Sequence, residues 1–143
     1  MLRVIIDPNL IASVLIGGIT RKRFAELTQK LDLIEFVYCD QLINEVLALA
    51  RKPYFQSKGI DLATVKTFVG YFRGLALKVM VTSKVKLGRD RNDYYLLSLA
   101  RDAKADYLIT GDPDLLLLEK YLNTQIVSMK TFMDTVNEPF PKE

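Results

Sequence analysis

The fold of this chain is decided by the stretch Leu2-Arg3-Val4-Ile5-Ile6-Asp7-Pro8-Asn9. Its run of Val4, Ile5 and Ile6 is apolar and β-branched, which is typical of a strand covered on both faces of a parallel sheet. Pro8 has no N–H to donate to a strand ladder, so we expect the strand to end at Asp7. A carboxylate is therefore expected at the carboxyl end of a central strand, the edge where open α/β sheets bind ligands.

Length and composition indicate a globular protein. The 143 residues are 50% hydrophobic, which predicts one domain over residues 1–137, with a loose tail over 138–143. A net charge of +3 permits a nucleic-acid partner without requiring one. No apolar run approaches the ~18 residues that span a bilayer, and since the sequence passes directly into a strand we expect no signal peptide. With one cysteine, Cys39, we expect a cytoplasmic protein without membrane association.

The sequence contains no histidine. This absence excludes Ser-His and Cys-His nucleophilic catalysis, His-ligated zinc and acid–base chemistry by imidazole. Glycine-rich loops of the dinucleotide-binding and Walker types are also missing. If the chain is an enzyme, its chemistry must depend on carboxylates, Lys or Arg, hydroxyl groups or a bound cofactor.

Strands alternate with helices along the chain, which predicts a three-layer α/β/α sandwich around a mostly parallel sheet of four to five strands. After the first strand, strands are expected at 35–39, 78–82, 106–110 and 125–127. Helices are expected at 9–16, 21–32, 41–51, 62–75, 92–103 and 129–136, with a short one around 115–118. Thr20, Asp40 and Asp61 are the expected N-caps of the second, third and fourth helices.

Acidic residues follow four of the predicted strands. They are Asp7 after the first, Glu45 in the helix after the second, Asp90 and Asp93 after the third, and Asp112 and Asp114 after the fourth. Because parallel strands end at one edge, these carboxylates should converge there, where their mutual repulsion calls for a cation. Oxygen ligands suit Mg²⁺ or Mn²⁺, and such sites carry out phosphoryl transfer or phosphodiester hydrolysis.

Each acid also has a plainer explanation. Asp7 and Asp112 each precede a proline and could simply cap a helix, and Asp90 or Asp93 could face a helix dipole. Glu45 lies beyond the first turn of its helix and is not explained in this way. The functional interpretation therefore depends on all four acids arriving at one edge.

The sequence resembles the PIN domain, a family of small metal-dependent ribonucleases, along nearly its whole length. The resemblance is carried by residues 4–13 with Asp7 and Asn9, residues 42–47 around Glu45, Asp93 with Leu96 and Ala100, and residues 105–116 with Thr110, Asp112 and Asp114. Pro8 departs from the pattern, because the family commonly has Thr or another small residue there. The subgroup that it is most similar to contains toxins of bacterial toxin–antitoxin pairs.

The resemblance implies a Mg²⁺- or Mn²⁺-dependent endoribonuclease. Asp7, Asp93 and Asp112 would be metal ligands, and Glu45 would be a ligand or would orient the attacking water. The residues expected to support them are Asn9, Asp90, Thr110 and Asp114, although Asp90 also competes with Asp93 for the third position. The family spacing favours Asp93. The resemblance further implies a small antitoxin partner and a homodimer, with the helices carrying Phe24/Leu27 and Phe68/Phe72 as candidate dimer helices.

Basic residues near the predicted acidic edge could contact RNA phosphates. They are Arg21, Lys22 and Arg23 in one group and Lys84, Lys86, Arg89 and Arg91 in another, and solvated loop charges are an equally good explanation of both. Tyr94 or Tyr95 could stack on an unpaired base, with the other packed inward. A non-catalytic RNA- or protein-binding module remains the alternative. A phosphatase with a second aspartate two residues after Asp7 is disfavoured, since residue 9 is Asn.

Overall fold

The protein is built on one six-stranded sheet in the computed structural model, which describes residues 1–86 and 94–138. The strands are β1 (Leu2–Ile6), β2 (Ile34–Tyr38), β3 (Ala76–Lys78), β4 (Tyr107–Ile109), β5 (Lys120–Tyr121) and β6 (Thr124–Val127). They lie in the order β3-β2-β1-β4-β6-β5, and all neighbours are parallel except β5 and β6. The predicted α/β/α fold is confirmed, and the two-residue β5 extends the expected four to five strands.

Helices connect the strands of the described chain. They are α1 (Pro8–Ile16), α2 (Gly18–Leu27), α3 (Asp40–Ala48), α4 (Pro53–Ser57), α5 (Leu62–Leu75), α6 (Tyr94–Ala103), α7 (Pro113–Leu118) and α8 (Met129–Val136). A 3₁₀ turn, Leu49–Arg51, separates α3 from α4. Among these helices, none combines the length and the apolar character that crossing a bilayer requires.

The first strand occupies the middle of the sheet, as its sequence predicts. Val4 is in register with Phe36 of β2 on one side and with Tyr107 of β4 on the other. Val4, Ile5 and Ile6 are each at most 1% exposed, because helices cover both faces of the strand. The carboxyl end of β1 therefore lies at the centre of one sheet edge.

The third strand lies earlier in the sequence than predicted. The expected strand at 78–82 is wrong, because α5 passes directly into Ala76–Lys78. Val79 N–H still donates to the Tyr38 carbonyl at 2.8 Å, but the chain then leaves the sheet. Asp102 of α6 draws it away by accepting the backbone N–H groups of Thr82 and Ser83, at 2.7 and 2.9 Å.

Two predicted helix starts are also wrong. The second helix begins at Gly18, without Thr20 as its cap, and ends at Leu27 rather than near residue 32. Gly17, at φ +117°, reverses the chain straight after α1, a conformation that glycine adopts without strain. The third helix begins at Asp40 itself, and the Asp40 carboxylate pairs with Lys78 Nζ at 3.1 Å instead of capping. Asp61 does cap α5, as expected.

Candidate active site at the carboxyl edge of the sheet

Asp7 is the buried centre of the candidate site, with only 2% of its surface exposed. Its backbone N–H donates to the Ile109 carbonyl at 3.0 Å, which continues the pairing of β1 with β4. The carboxylate Oδ1 accepts the Asn9 N–H at 2.9 Å and so caps α1, with Pro8 in the first turn. The plainer interpretation of Asp7 as a helix cap is thus correct for one of its two oxygens.

The other oxygen of Asp7 connects it to the next strand end. Thr110 follows β4, is fully buried, and donates its hydroxyl to Asp7 Oδ2 at 2.7 Å. The same hydroxyl oxygen accepts the Asp112 N–H at 3.0 Å. Asp112 in turn caps α7 by accepting the Asp114 N–H at 2.9 Å. One hydroxyl therefore holds the turn that carries Asp112 against the buried carboxylate of Asp7.

Two negative charges meet at this point. Burial raises the pKa of Asp7 above its ordinary value, and the charge of Asp112 raises it further, against the lowering effect of the hydrogen bonds from Asn9 and Thr110. A buried carboxylate beside a second carboxylate is costly unless a positive charge compensates it. The donor set, which offers carboxylate and hydroxyl oxygens only, fits a hard divalent cation such as Mg²⁺ or Mn²⁺.

Glu45 reaches the same region through a tyrosine. Tyr95, at the start of α6, donates its hydroxyl to Glu45 Oε2 of α3 at 2.5 Å. Burial and this hydrogen bond strongly raise the pKa of Tyr95, and the charge of Asp7 contributes to the shift. The phenol therefore interacts electrostatically with both acids and is neutral at physiological pH.

Tyr95 is the residue whose role sequence reasoning missed. The sequence suggested a stacking surface from Tyr94 or Tyr95, and nothing in it connects Tyr95 with Glu45, which lies 50 positions away. The position of Tyr95, two residues after the predicted ligand Asp93 and in the first turn of the helix that follows, was the available signal. The structure thus brings together Asp7, Thr110 and Asp112. A separate hydrogen bond joins Glu45 to Tyr95, whose pKa the charge of Asp7 also raises.

The third predicted acid lies outside the described residues. This applies to Asp90 and Asp93 and also to two of the predicted RNA-binding residues, Arg89 and Arg91. Over residues 1–86 and 94–138, no three acidic or cysteine side chains are grouped so that they could hold a metal ion. The four-carboxylate metal site thus stays a prediction.

The basic residues that the structure describes are differently placed. Lys84 and Lys86 are exposed on the segment after β3, which Ser98 of α6 also anchors by accepting the Val85 N–H at 2.9 Å. Arg21 instead donates to the Val14 and Leu15 carbonyls, at 2.9 and 2.5 Å, at the end of α1 remote from Asp7. Lys22, which follows it, is exposed. RNA binding by these residues stays a prediction.

The aromatic residues proposed for a dimer contact mostly belong to the core. Phe24, Leu27 and Phe72 are at most 5% exposed, and Phe24 stacks on Phe36 of β2. Phe68 is partly buried against Phe24 and Phe72. The pattern that suggested a dimer surface on these helices is therefore mainly explained by packing inside one chain.

The fold and the site define an α/β protein with an acidic site at the carboxyl edge of a parallel sheet. Residues 3–114, more than half of the chain, match the PIN domain family, and the chain therefore belongs to that family. PIN domains are generally nucleases that act on phosphodiester bonds, and they generally use divalent metal ions. Comparison with curated proteins and with solved structures gives no significant match.

Proposed function

We propose that this PIN domain is a Mg²⁺- or Mn²⁺-dependent endoribonuclease and the toxin of a toxin–antitoxin pair. The observation that carries the proposal is the buried Asp7 carboxylate, which Thr110 connects to the Asp112 turn. A carboxylate used only as a helix cap does not need to be buried, as the fully solvated cap Asp61 shows. Burial beside Asp112 suits a group that shares a cation with its neighbour.

In this proposal the metal ligands are Asp7, Asp112 and Asp93, with Glu45 as a ligand or as the residue that orients water. A bound divalent cation supplies positive charge that neutralises the carboxylates and stabilises the charge developing on the phosphate. Thr110 fixes the rotamer of Asp7 by donating to Oδ2, so that carboxylate reorganises little during the reaction. Tyr95 fixes Glu45 in the same way from α6.

Binding of the RNA backbone is assigned to the exposed lysines of the segment after β3. Lys84 and Lys86 offer positive charge on a segment whose backbone is hydrogen-bonded to Asp102 and Ser98. Charges held in place can attract phosphates with little loss of conformational entropy on binding. We include Arg89 and Arg91 in this role on their position in the sequence alone, whereas Arg21 and Lys22 lie beyond the end of α1 that is remote from Asp7.

The antitoxin is proposed to cover an apolar groove between α1, α2 and α5. The groove measures about 290 Å³, and Val14, Phe24, Phe68 and the half-exposed Tyr71 line it. An amphipathic segment that lays its apolar face into such a groove is a common mode of recognition. A homodimer and a cytoplasmic location complete the proposal, the latter supported by the buried free thiol of Cys39.

The decisive experiment is the substitution Asp7→Asn. The amide keeps an oxygen that can accept the Asn9 N–H, so α1 remains capped, but the negative charge is lost. We expect RNA cleavage with Mn²⁺ to fall about a hundredfold to a thousandfold, the order of magnitude for loss of a key electrostatic group. Asp61→Asn, at the exposed cap of α5, is the matched control and should cleave at the parental rate.

Cleavage by Asp7→Asn at the parental rate would disprove the assignment. RNA binding without metal-dependent turnover in the parental chain would instead favour a non-catalytic binding module. Expression of the parental chain alone should arrest growth, whereas expression of Asp7→Asn should not. Growth unaffected by an active nuclease would contradict the toxin role while leaving the ribonuclease proposal in place.

A further inference from the structure

A second cavity lies beside the acidic site at the same edge of the sheet. It measures about 260 Å³ and is bounded by the start of α3, by the segment that follows β3 and by Tyr95 of α6. Asp40 and Gln41 provide polar atoms on one side, and Val79, Met80 and Val81 provide apolar surface on another. The cavity is smaller than sites for drug-sized ligands, which typically begin at about 300 Å³. Its size and mixed lining suit one small, flat, partly polar group.

The walls of this cavity are held in position without a ligand. On one side of Met80, Val79 N–H donates to the Tyr38 carbonyl at 2.8 Å. On the other side, Thr82 and Ser83 donate their N–H groups to Asp102 Oδ2. The wall from 79 to 81 is thus fixed at both ends. A pre-formed wall lowers the entropic cost of binding.

Tyr95 joins the cavity to the acidic site. Its ring lines the cavity, and its hydroxyl lies 2.5 Å from Glu45 Oε2. A group held against Tyr95 is therefore one side chain away from Glu45, one of the carboxylates to which cleavage is assigned. The ring also offers an aromatic surface, which is the partner that unpaired bases use in RNA recognition.

The mouth of the cavity has the composition of a binding surface for a base. Met80 is 74% exposed, although burial of an apolar side chain such as methionine is favourable. Its polarizable thioether packs well against aromatic groups. The charge of Asp40 is paired with Lys78 at 3.1 Å, which reduces its repulsion of a phosphate chain. Gln41 offers both a donor and an acceptor for the edge of a base.

We infer that this cavity takes one unpaired nucleobase of the RNA substrate, next to the phosphodiester bond that is cleaved. The inference rests on the proposed function and adds to it a determinant of where the enzyme cuts. The base contacts Tyr95 and Met80, and Gln41 pairs with its polar edge. Cleavage should therefore favour single-stranded RNA in which this nucleotide can leave the stack.

The test is a double-mutant cycle in which one change is made in the protein and the other in the RNA. We measure the cleavage rates of the parental chain, Met80→Ala and Gln41→Ala on single-stranded RNAs that each carry one abasic nucleotide, placed at successive positions. We expect one abasic position to slow parental cleavage about tenfold, the order of magnitude of one stacking contact. The same abasic substrate should be slowed less in Met80→Ala and in Gln41→Ala than in the parent, because each variant has already lost part of the contact with the base, although Tyr95 remains. Leu122→Ala, at a side chain 59% exposed elsewhere, is the control and should behave as the parent.

A second readout does not depend on cleavage. The Asp7→Asn variant is irradiated with RNA that carries a photoreactive thiouridine at the same position, and the crosslinked residue is identified. Crosslinks to residues 79–81 or Tyr95 support the cavity even if the parental chain cuts no RNA, in which case the proposed nuclease function fails alone. Cleavage without a crosslink there, or an equal abasic effect in Met80→Ala and the parent, overturns the cavity assignment and leaves the nuclease standing. Protection of this surface by a protein partner and not by RNA also overturns it.

Discussion

Asp7 and Asp61 perform the same local task in very different surroundings. Each carboxylate caps a helix by accepting a backbone N–H at 2.9 Å, and each also accepts a threonine hydroxyl, from Thr110 at 2.7 Å or from Thr64 at 2.8 Å. The hydrogen bonds from Thr64 lower the pKa of the solvated Asp61, whereas burial raises the pKa of Asp7. Since the bonds are alike, the difference lies in burial and in the charge of Asp112. Helix capping explains Asp61 completely and explains Asp7 only in part.

The largest effect on stability is expected when Thr110 is replaced, and its matched comparison is the replacement of Thr64. Thr110→Val keeps the side-chain shape but leaves the buried Asp7 carboxylate and the Asp112 N–H without this partner. We expect the free energy of unfolding to fall by about 3 kcal/mol, the sum of two unsatisfied groups. Thr64→Val, at the exposed cap, should change it little, because water replaces the hydroxyl. Equal losses in urea titrations of the two variants would contradict the contrast between the caps.

The next largest difference between Asp7 and Asp61 is expected in the stabilisation that added metal gives. Mn²⁺ at about 100 times its Kd should stabilise the parental chain by about 2.7 kcal/mol, because it binds only the folded state. The gain should disappear in Asp7→Asn and persist in Asp61→Asn. Thermal unfolding at increasing Mn²⁺, with Ca²⁺ as a second cation, measures it. A full gain in Asp7→Asn would show that the cation binds without Asp7.

The smallest effect is a difference of sign in the pH dependence of stability without metal. Because the pKa of Asp7 is raised, its contribution is complete at low pH and is lost as the pH rises from about 4 through the raised value. Because the pKa of Asp61 is lowered, its contribution is present above about pH 4 and is lost as the pH falls through the lowered value. The Tm of the parent relative to Asp7→Asn should therefore fall with rising pH, and relative to Asp61→Asn it should rise. If the two Tm differences changed with pH in the same direction in buffer containing a chelator, the raised pKa of Asp7 and the lowered pKa of Asp61 would be contradicted.

The sequence predicted those features that depend on neighbouring residues. The buried strand at Val4–Ile6 follows from three adjacent β-branched residues, and the Asp61 cap follows from an Asp directly before a helical pattern. Asp40 shows the limit of such reasoning. Its sequence context also resembles a cap, but Lys78 binds its carboxylate from 38 positions away.

Features that depend on distant partners could not be predicted in this way. Tyr95 is hydrogen-bonded to Glu45, which lies 50 positions away, so the residues next to either one in the sequence give no indication of this contact. The third strand was misplaced for a similar reason, since Asp102 draws Thr82 out of the sheet from 20 positions away. Long-range hydrogen bonds determine the Tyr95–Glu45 contact and the end of the third strand, whereas hydrophobic periodicity determines which segments form the helical layers and the sheet.

Alkylation of Cys39 can be used to measure local opening of the protein. Cys39 is the chain's single cysteine, is 4% exposed, and lies at the wall of the cavity beside Tyr95. Burial raises the pKa of its thiol, and the charges of Asp40 and Glu45 raise it further, against hydrogen bonds from Leu42 and Gln41 that lower it. Alkylating reagents react with the thiolate, and because only 4% of Cys39 is exposed at the cavity wall, they reach its sulfur mainly when this corner opens locally. The alkylation rate of the unmodified chain therefore records how often this edge of the sheet opens, and a slower rate with added Mn²⁺ or RNA would show that the proposed ligand keeps it closed.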